Sequence, residues 1–117
     1  MKENNRPEFY RGDVVWAINS KATGRTQKNN RPYVIISNNK ANKYSSVITA
    51  IPLTTKHKKT LPTHYVFKMN GKINVALAEQ IVNLNKSDIS NIETTLDDYD
   101  LAEIEKRVKI QLDLKGE

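Results

Sequence analysis

Few side chains in this sequence could carry chemistry. Metal chemistry would need clustered His, Cys, Asp or Glu at ligand spacing, and the chain has no cysteine and only His57 and His64. RNA cleavage by paired imidazoles would draw on the same two residues. His57 stands in the basic run Lys56-His57-Lys58-Lys59 and His64 opens an apolar run. Neither has an evident partner, and both read as surface or strand-edge residues. What remains is a set of Arg, Thr, Glu and Gln at the ends of apolar runs: Arg31 ahead of Pro32, Thr54 and Thr55 closing a later run, and Glu79-Gln80 between two more. Their positions in the chain do not bring them together. Each has a plain structural reading, as a solvated Arg, strand-end hydroxyls and a polar turn.

The elements that would have to position them are mostly strands. Val14–Ile18, Tyr33–Ser37 and Val47–Leu53 are short runs rich in β-branched and aromatic residues, bounded by Gly, Asn, Ser, Lys and Pro. Tyr65–Phe67, Ile73–Leu77 and Ile81–Leu84 read as three more, with Asn70-Gly71 as a hairpin turn between two of them. Residues 19 to 30 are polar and basic, contain Gly24, and read as a mobile loop on this β scaffold. One helix is clear. Leu101, Ile104, Val108 and Leu112 share a face, and Thr95-Leu96-Asp97-Asp98 supplies a start signal in which the Thr hydroxyl and an acid three residues on accept from unpaired amides. Asp97, Asp98 and Asp100 suit the positive end of its dipole, so this acidic cluster reads as capping rather than as a metal site. Short strands followed by one amphipathic helix predict a mainly β domain with a C-terminal helix, a strongly bent sheet or small barrel closed at one end.

At 117 residues the chain is long enough for one core and too short for two, so residues 1–117 are expected to be one domain, with residues 1–8 as a flexible N-terminal segment. No apolar run approaches the ~20 residues of a membrane span. No secretory signal pattern is seen, which makes the cytoplasm the expected location and leaves no membrane partner. Charge is unevenly distributed. Residues 1–60 hold 12 Lys/Arg against 3 Asp/Glu, whereas residues 61–117 hold 7 against 10. The first half is therefore the candidate nucleic-acid face, because a basic surface neutralises phosphates and releases their counterions. Arg11-Gly12-Asp13 matches a cell-adhesion tripeptide, but it leads straight into the first strand and is discounted.

The pattern as a whole resembles the MazF/PemK family of toxins from bacterial toxin–antitoxin pairs. The matching pieces are, in order, Arg11-Gly12-Asp13-Val14-Val15-Trp16, Asn30-Arg31-Pro32-Tyr33-Val34-Ile35-Ile36-Ser37 and Ala50-Ile51-Pro52-Leu53-Thr54-Thr55. Leu61-Pro62-Thr63-His64, Val75-Ala76-Leu77-Ala78-Glu79-Gln80-Ile81 and the helix after Leu96-Asp97-Asp98 complete them. No single piece is specific; their joint order and spacing are.

The resemblance implies an SH3-like barrel of the MazF/PemK/CcdB type that assembles as a homodimer. It also implies a sequence-specific endoribonuclease, an mRNA interferase acting on single-stranded RNA without metal or cofactor. In that chemistry the ribose 2′-hydroxyl attacks its neighbouring phosphate, leaving a 2′,3′-cyclic phosphate and a 5′-hydroxyl. The catalytic Arg and Thr fall on Arg31 and Thr54, with Thr55 the weaker alternative for the hydroxyl. A guanidinium forks onto two phosphate oxygens and a hydroxyl donates to the same group, so the pair could stabilise a pentacoordinate phosphorus. An Arg is a poor general base, and no side chain is assigned to that role. RNA-binding residues are expected at Asn19, Arg25, Thr26, Gln27 and Lys28 of the loop, at Thr55 and Lys56, and at Glu79 and Gln80. Thr26 stands where the family commonly has an acid, which puts a loop carboxylate in doubt. The implied protein partner is a cognate MazE-like antitoxin whose acidic tail blocks the RNA groove. Two other readings stay open: a gyrase poison of the CcdB type, and an RNA-binding barrel without catalysis.

Overall fold

The structure, a computed structural model, describes residues 8–20, 29–56 and 60–115. Seven strands and two helices follow in the order β1 (Asp13–Ala17), β2 (Arg31–Ile35), α1 (Asn39–Tyr44), β3 (Val47–Thr54), β4 (His64–Met69), β5 (Lys72–Leu77), β6 (Val82–Asn85), β7 (Ile89–Thr95) and α2 (Asp98–Leu112). The sheet is antiparallel throughout, in the spatial order β4-β5-β3-β2-β1-β7, with β6 also paired to β3. It is the expected mainly β architecture with a C-terminal helix. Of the N-terminal segment expected to be flexible, all but Glu8 lies outside the described residues, as does most of the 19–30 loop.

The central strands bury both faces, which is why they read as near-continuous apolar runs. Val15, Ala17, Tyr33, Ile35, Ile48 and Ala50 point into one cluster that Phe9 and Leu84 complete. Val14, Val34, Ile51 and Leu53 point the other way, against Phe67, Ala76, Ala78 and Ile104 of the helix. β3 serves both. Its first half pairs with β6 (Val47↔Asn85 to Ala50↔Val82) and its end with β5 (Leu53↔Ala76, Thr54↔Val75). Pro52 falls where β3 has left β6 and not yet reached β5, so its missing N–H costs neither ladder a bond.

Two elements differ from the sequence reading by addition. α1 has no apolar face. It is held by Asn38, whose side chain accepts from the Ala41 N–H at 2.9 Å, and by the buried Asn42, whose amide donates to the Ser37 carbonyl at 2.9 Å. β7 lacks alternating apolar residues because it is an edge strand, mostly exposed, with two register irregularities against β1.

The helix start is also displaced. Asp97, not Thr95, caps α2, accepting from the Asp100 N–H at 2.8 Å. The Thr95 hydroxyl instead donates to the Asp13 carboxylate at 2.7 Å. Asp13 is buried and also accepts from the Tyr10 N–H, while Arg11 bonds the Ile36 carbonyl and Glu105 of α2. The Arg-Gly-Asp tripeptide is thus a tie between β1, β7 and α2. Of the expected apolar helix face, Ile104 is fully buried and Leu101 and Val108 partly, whereas Leu112 stands exposed in the last turn.

Candidate active site

Arg31, the first residue of β2, and Thr54, the last of β3, lie far apart in the chain but line one cavity of about 800 Å³. Antiparallel pairing is the reason. β2 and β3 run alongside each other through Tyr33↔Pro52, so the start of one strand meets the end of the other. Thr55 and Lys56 follow Thr54 into the same wall, and Asn29, Asn30 and Pro32 flank Arg31. The β4–β5 hairpin, paired to the end of β3 at Thr54↔Val75, contributes Met69, Asn70, Lys72 and Asn74. Its expected Asn-Gly turn is present, with φ +52° at Asn70 and +80° at Gly71, and space around Gly71 is open. Trp16 of β1 and Glu93 of β7 close the remaining side.

The charge of the described lining is Arg31, Lys56 and Lys72 against Glu93. Arg31 and the two lysines form no ion pair among the described residues. The positive charge of Arg31 also reaches Tyr33, whose phenol is pushed up by burial and partly drawn back by the guanidinium. Thr54 is held in a local turn: its hydroxyl accepts from the Lys56 N–H at 3.0 Å and donates to the Lys56 carbonyl at 3.1 Å. That hydroxyl is oriented beforehand, and its proton can pass from a neutral carbonyl to a phosphate oxygen, the stronger acceptor. A guanidinium and an oriented hydroxyl lining one cavity are together suited to hold an anionic group. Among the described residues no group of three His, Asp or Glu is placed to hold a metal ion.

The remaining expected site residues are placed elsewhere or lie outside the described residues. Arg25, Thr26, Gln27 and Lys28 are outside, as is His57. Asn19 is buried and does not line the cavity. Glu79 and Gln80 do not lie on a strand; they form a 3₁₀ turn, Ala78–Gln80, and neither lines the cavity. Glu79 accepts from the Thr63 hydroxyl at 2.7 Å and pairs with His64 Nε2 at 2.8 Å, while Gln80 is exposed. His64, read as a surface or strand-edge residue with no evident partner, does open an edge strand, but it is buried and partnered: besides Glu79, its Nδ1 accepts from the Leu61 N–H at 3.2 Å. Burial raises the Glu79 carboxyl, but the hydrogen bonds from Thr63 and His64 outweigh it and hold the group below the usual carboxylate range.

Lys72 and Glu93 were not singled out from the sequence, Asn70 was read only as a turn residue, and Trp16 only as part of a matching piece, not as part of the site. Trp16 could have been, since it is the outward-facing aromatic of an otherwise buried strand. Glu93 could not, because it sits on a strand with no sequence signature and at an irregularity within it.

The fold and site define a small, mainly β domain with a basic cleft at its strand ends. Residues 10–112 match the family described as PemK-like, MazF-like toxin of type II toxin–antitoxin system. The chain is 35% identical over 109 residues to endoribonuclease MazF of Staphylococcus saprophyticus, covering 89% of this chain and 91% of the relative. Its fold is similar to that of MazF from Deinococcus radiodurans, with TM-score 0.80 and 22% identity over 93% of this chain and 100% of that one. A mycobacterial endoribonuclease in complex with its cognate antitoxin is also similar, with TM-score 0.77 and 19% identity over 96% of this chain and 100% of that one. The chain belongs to the MazF/PemK family of toxins, the family of endoribonuclease MazF.

Proposed function

We propose that this chain is a sequence-specific endoribonuclease toxin that cuts single-stranded RNA, mRNA above all, by attack of a ribose 2′-hydroxyl on its own 3′-phosphate. The observation that carries this is the convergence of Arg31 and Thr54 on one basic cleft. In the reaction the 2′-oxygen–phosphorus bond forms and the phosphorus–5′-oxygen bond breaks, giving a 2′,3′-cyclic phosphate and a 5′-hydroxyl. Arg31 forks onto the non-bridging oxygens as their charge grows, and Thr54 donates to the same group. The leaving 5′-oxygen takes its proton from Arg31 or from water at that place, and the 2′-hydroxyl gives its proton to a base for which no side chain is named. Charge stabilisation by a guanidinium and a hydroxyl needs no metal ion.

The working form is a homodimer in the cytoplasm, neutralised by a MazE-like antitoxin. A mycobacterial endoribonuclease of similar fold, solved in complex with its cognate antitoxin, supports that partner, and among the described residues no helix is long and apolar enough to cross a membrane. A basic cleft binds an acidic peptide tail for the same reason that it binds RNA.

The test is incubation of the protein with a long unstructured RNA in EDTA, followed by mapping of cut sites and end groups. Cuts at one recurrent short motif with cyclic phosphate ends, absent in Arg31→Ala, are expected. Intact RNA from antitoxin-free protein would overturn the proposal, and inhibition of gyrase by the same preparation would replace it.

A further inference from the structure

A carboxylate in a cleft built for phosphate is out of place electrostatically, and Glu93 is one. It is the extra residue of a β-bulge: Val14 pairs with Thr94 and Val15 with Ile92, leaving Glu93 with no opposite number. A bulge re-aims the side chain at the unpaired position, here into the cleft. The carboxylate is fixed there from two sides. Trp16 Nε1 donates to one oxygen at 2.7 Å, and the Asn70 amide at the hairpin turn donates to the other.

We infer that Glu93 reads a guanine base beside the scissile phosphate, an inference that rests on the RNA-cleaving function proposed above. An ionised carboxylate only accepts, with about four lone-pair positions on its two oxygens. Trp16 and Asn70 take one on each, so one on each remains. A ligand that satisfies both must present two neighbouring N–H donors. Guanine does so with N1–H and the N2 amine on its Watson–Crick edge, which single-stranded RNA leaves exposed. Adenine and cytosine offer an amine beside a ring-nitrogen acceptor, and uracil offers one N–H between two carbonyls. In each of these a lone pair would face a carboxylate oxygen. Trp16 and Met69 line the same cavity and supply apolar surface for the base, while Arg31, Lys56 and Lys72 supply charge for the flanking phosphates.

The experiment uses the cut motif mapped on a long RNA and then short RNAs carrying it with guanine or inosine, which lacks only the N2 amine. The expected motif has an invariant guanine next to the cut. Inosine there lowers kcat/KM about tenfold to a hundredfold, the cost of one hydrogen bond to a charged group. In Glu93→Gln, which keeps the shape of the side chain and an oxygen for Trp16, the guanine-to-inosine ratio falls to about one. A purely structural Glu93 would lower cleavage of both RNAs alike and leave the ratio unchanged, which would overturn the inference. Cleavage at a motif with no fixed guanine would overturn it while leaving the endoribonuclease standing. RNA left intact by the native protein would remove both.

Discussion

The β4–β5 hairpin has two polar ends, and they are built differently. At its root, His64 and Glu79 are paired, Thr63 donates to the same carboxylate, and Leu61 caps the far ring nitrogen. Arg107 of α2 donates to the His64 carbonyl at 3.2 Å, pairs with Glu103 at 2.7 Å and lies 5.0 Å from the centre of the Tyr65 ring. Burial and a hydrogen bond to Asp100 raise the Tyr65 phenol, so it stays a donor to that carboxylate. Here His64, Glu79, Glu103 and Arg107 are all paired within the described residues. At the tip, Lys72 lines the same cleft as Arg31 and Lys56, and none of the three has an ion-pair partner among the described residues. Saturated polar groups dock a helix, whereas unsaturated cations wait for a ligand.

The largest effect that would test this contrast comes from the tip. Arg31→Ala and Thr54→Ala are each expected to lower RNA cleavage on the order of 10²–10³-fold or more, the usual cost of one preorganised donor to a developing oxyanion. Neither is expected to shift the urea midpoint, because neither side chain answers a buried group. Cleavage by Arg31→Ala at the native rate would mean that the cleft is not the catalytic centre.

How much of this could be read from the chain depends on what each residue is for. Strands buried on both faces, such as β3, announce themselves by composition, and the helix stripe around Ile104 does so by period. α1 and β7 do not, because one is held by Asn38 and Asn42 and the other is an exposed, irregular edge. Arg31 and Thr54 were joined by the family resemblance; spacing alone could not join them, since their place on one cavity comes from β2–β3 register. Glu79 shows the opposite failure. Its place in a recognisable motif suggested RNA binding, but its partners Thr63 and His64 are visible only once β4 lies beside β5.

The root of the hairpin gives the second prediction. Glu79→Ala leaves the Thr63 hydroxyl and His64 Nε2 without their acceptor and is expected to cost about 1–3 kcal/mol in urea unfolding while the cut motif stays the same. The pH dependence has a definite sign. Because the folded protein holds the Glu79 carboxyl below its ordinary value, the group contributes stability above about pH 4.3, the unfolded value, and loses it as pH falls through the lower folded value. Glu79→Gln should flatten the stability curve in that acid window. A changed cut motif with unchanged stability would instead make Glu79 a base-reading residue and erase the contrast between the two ends.

The smallest expected effect is the most specific to the tip. If Arg31, Lys56 and Lys72 each neutralise one phosphate, the logarithm of RNA affinity should fall with the logarithm of salt at a slope of about −2, at roughly −0.7 per phosphate on a single strand. Lys72 is exposed at the hairpin tip and forms no ion pair among the described residues. Lys72→Ala should therefore reduce the slope by about 0.7 and weaken binding similarly for all sequences, since a phosphate contact carries no base information. The same substitution at Arg107, which is already committed to Glu103 and the His64 carbonyl, should lower stability and leave the slope alone. Equal slopes for native protein and Lys72→Ala would place the phosphates elsewhere and leave the hairpin tip without its function, because counterion release counts the cations that RNA touches and not those that merely lie near it.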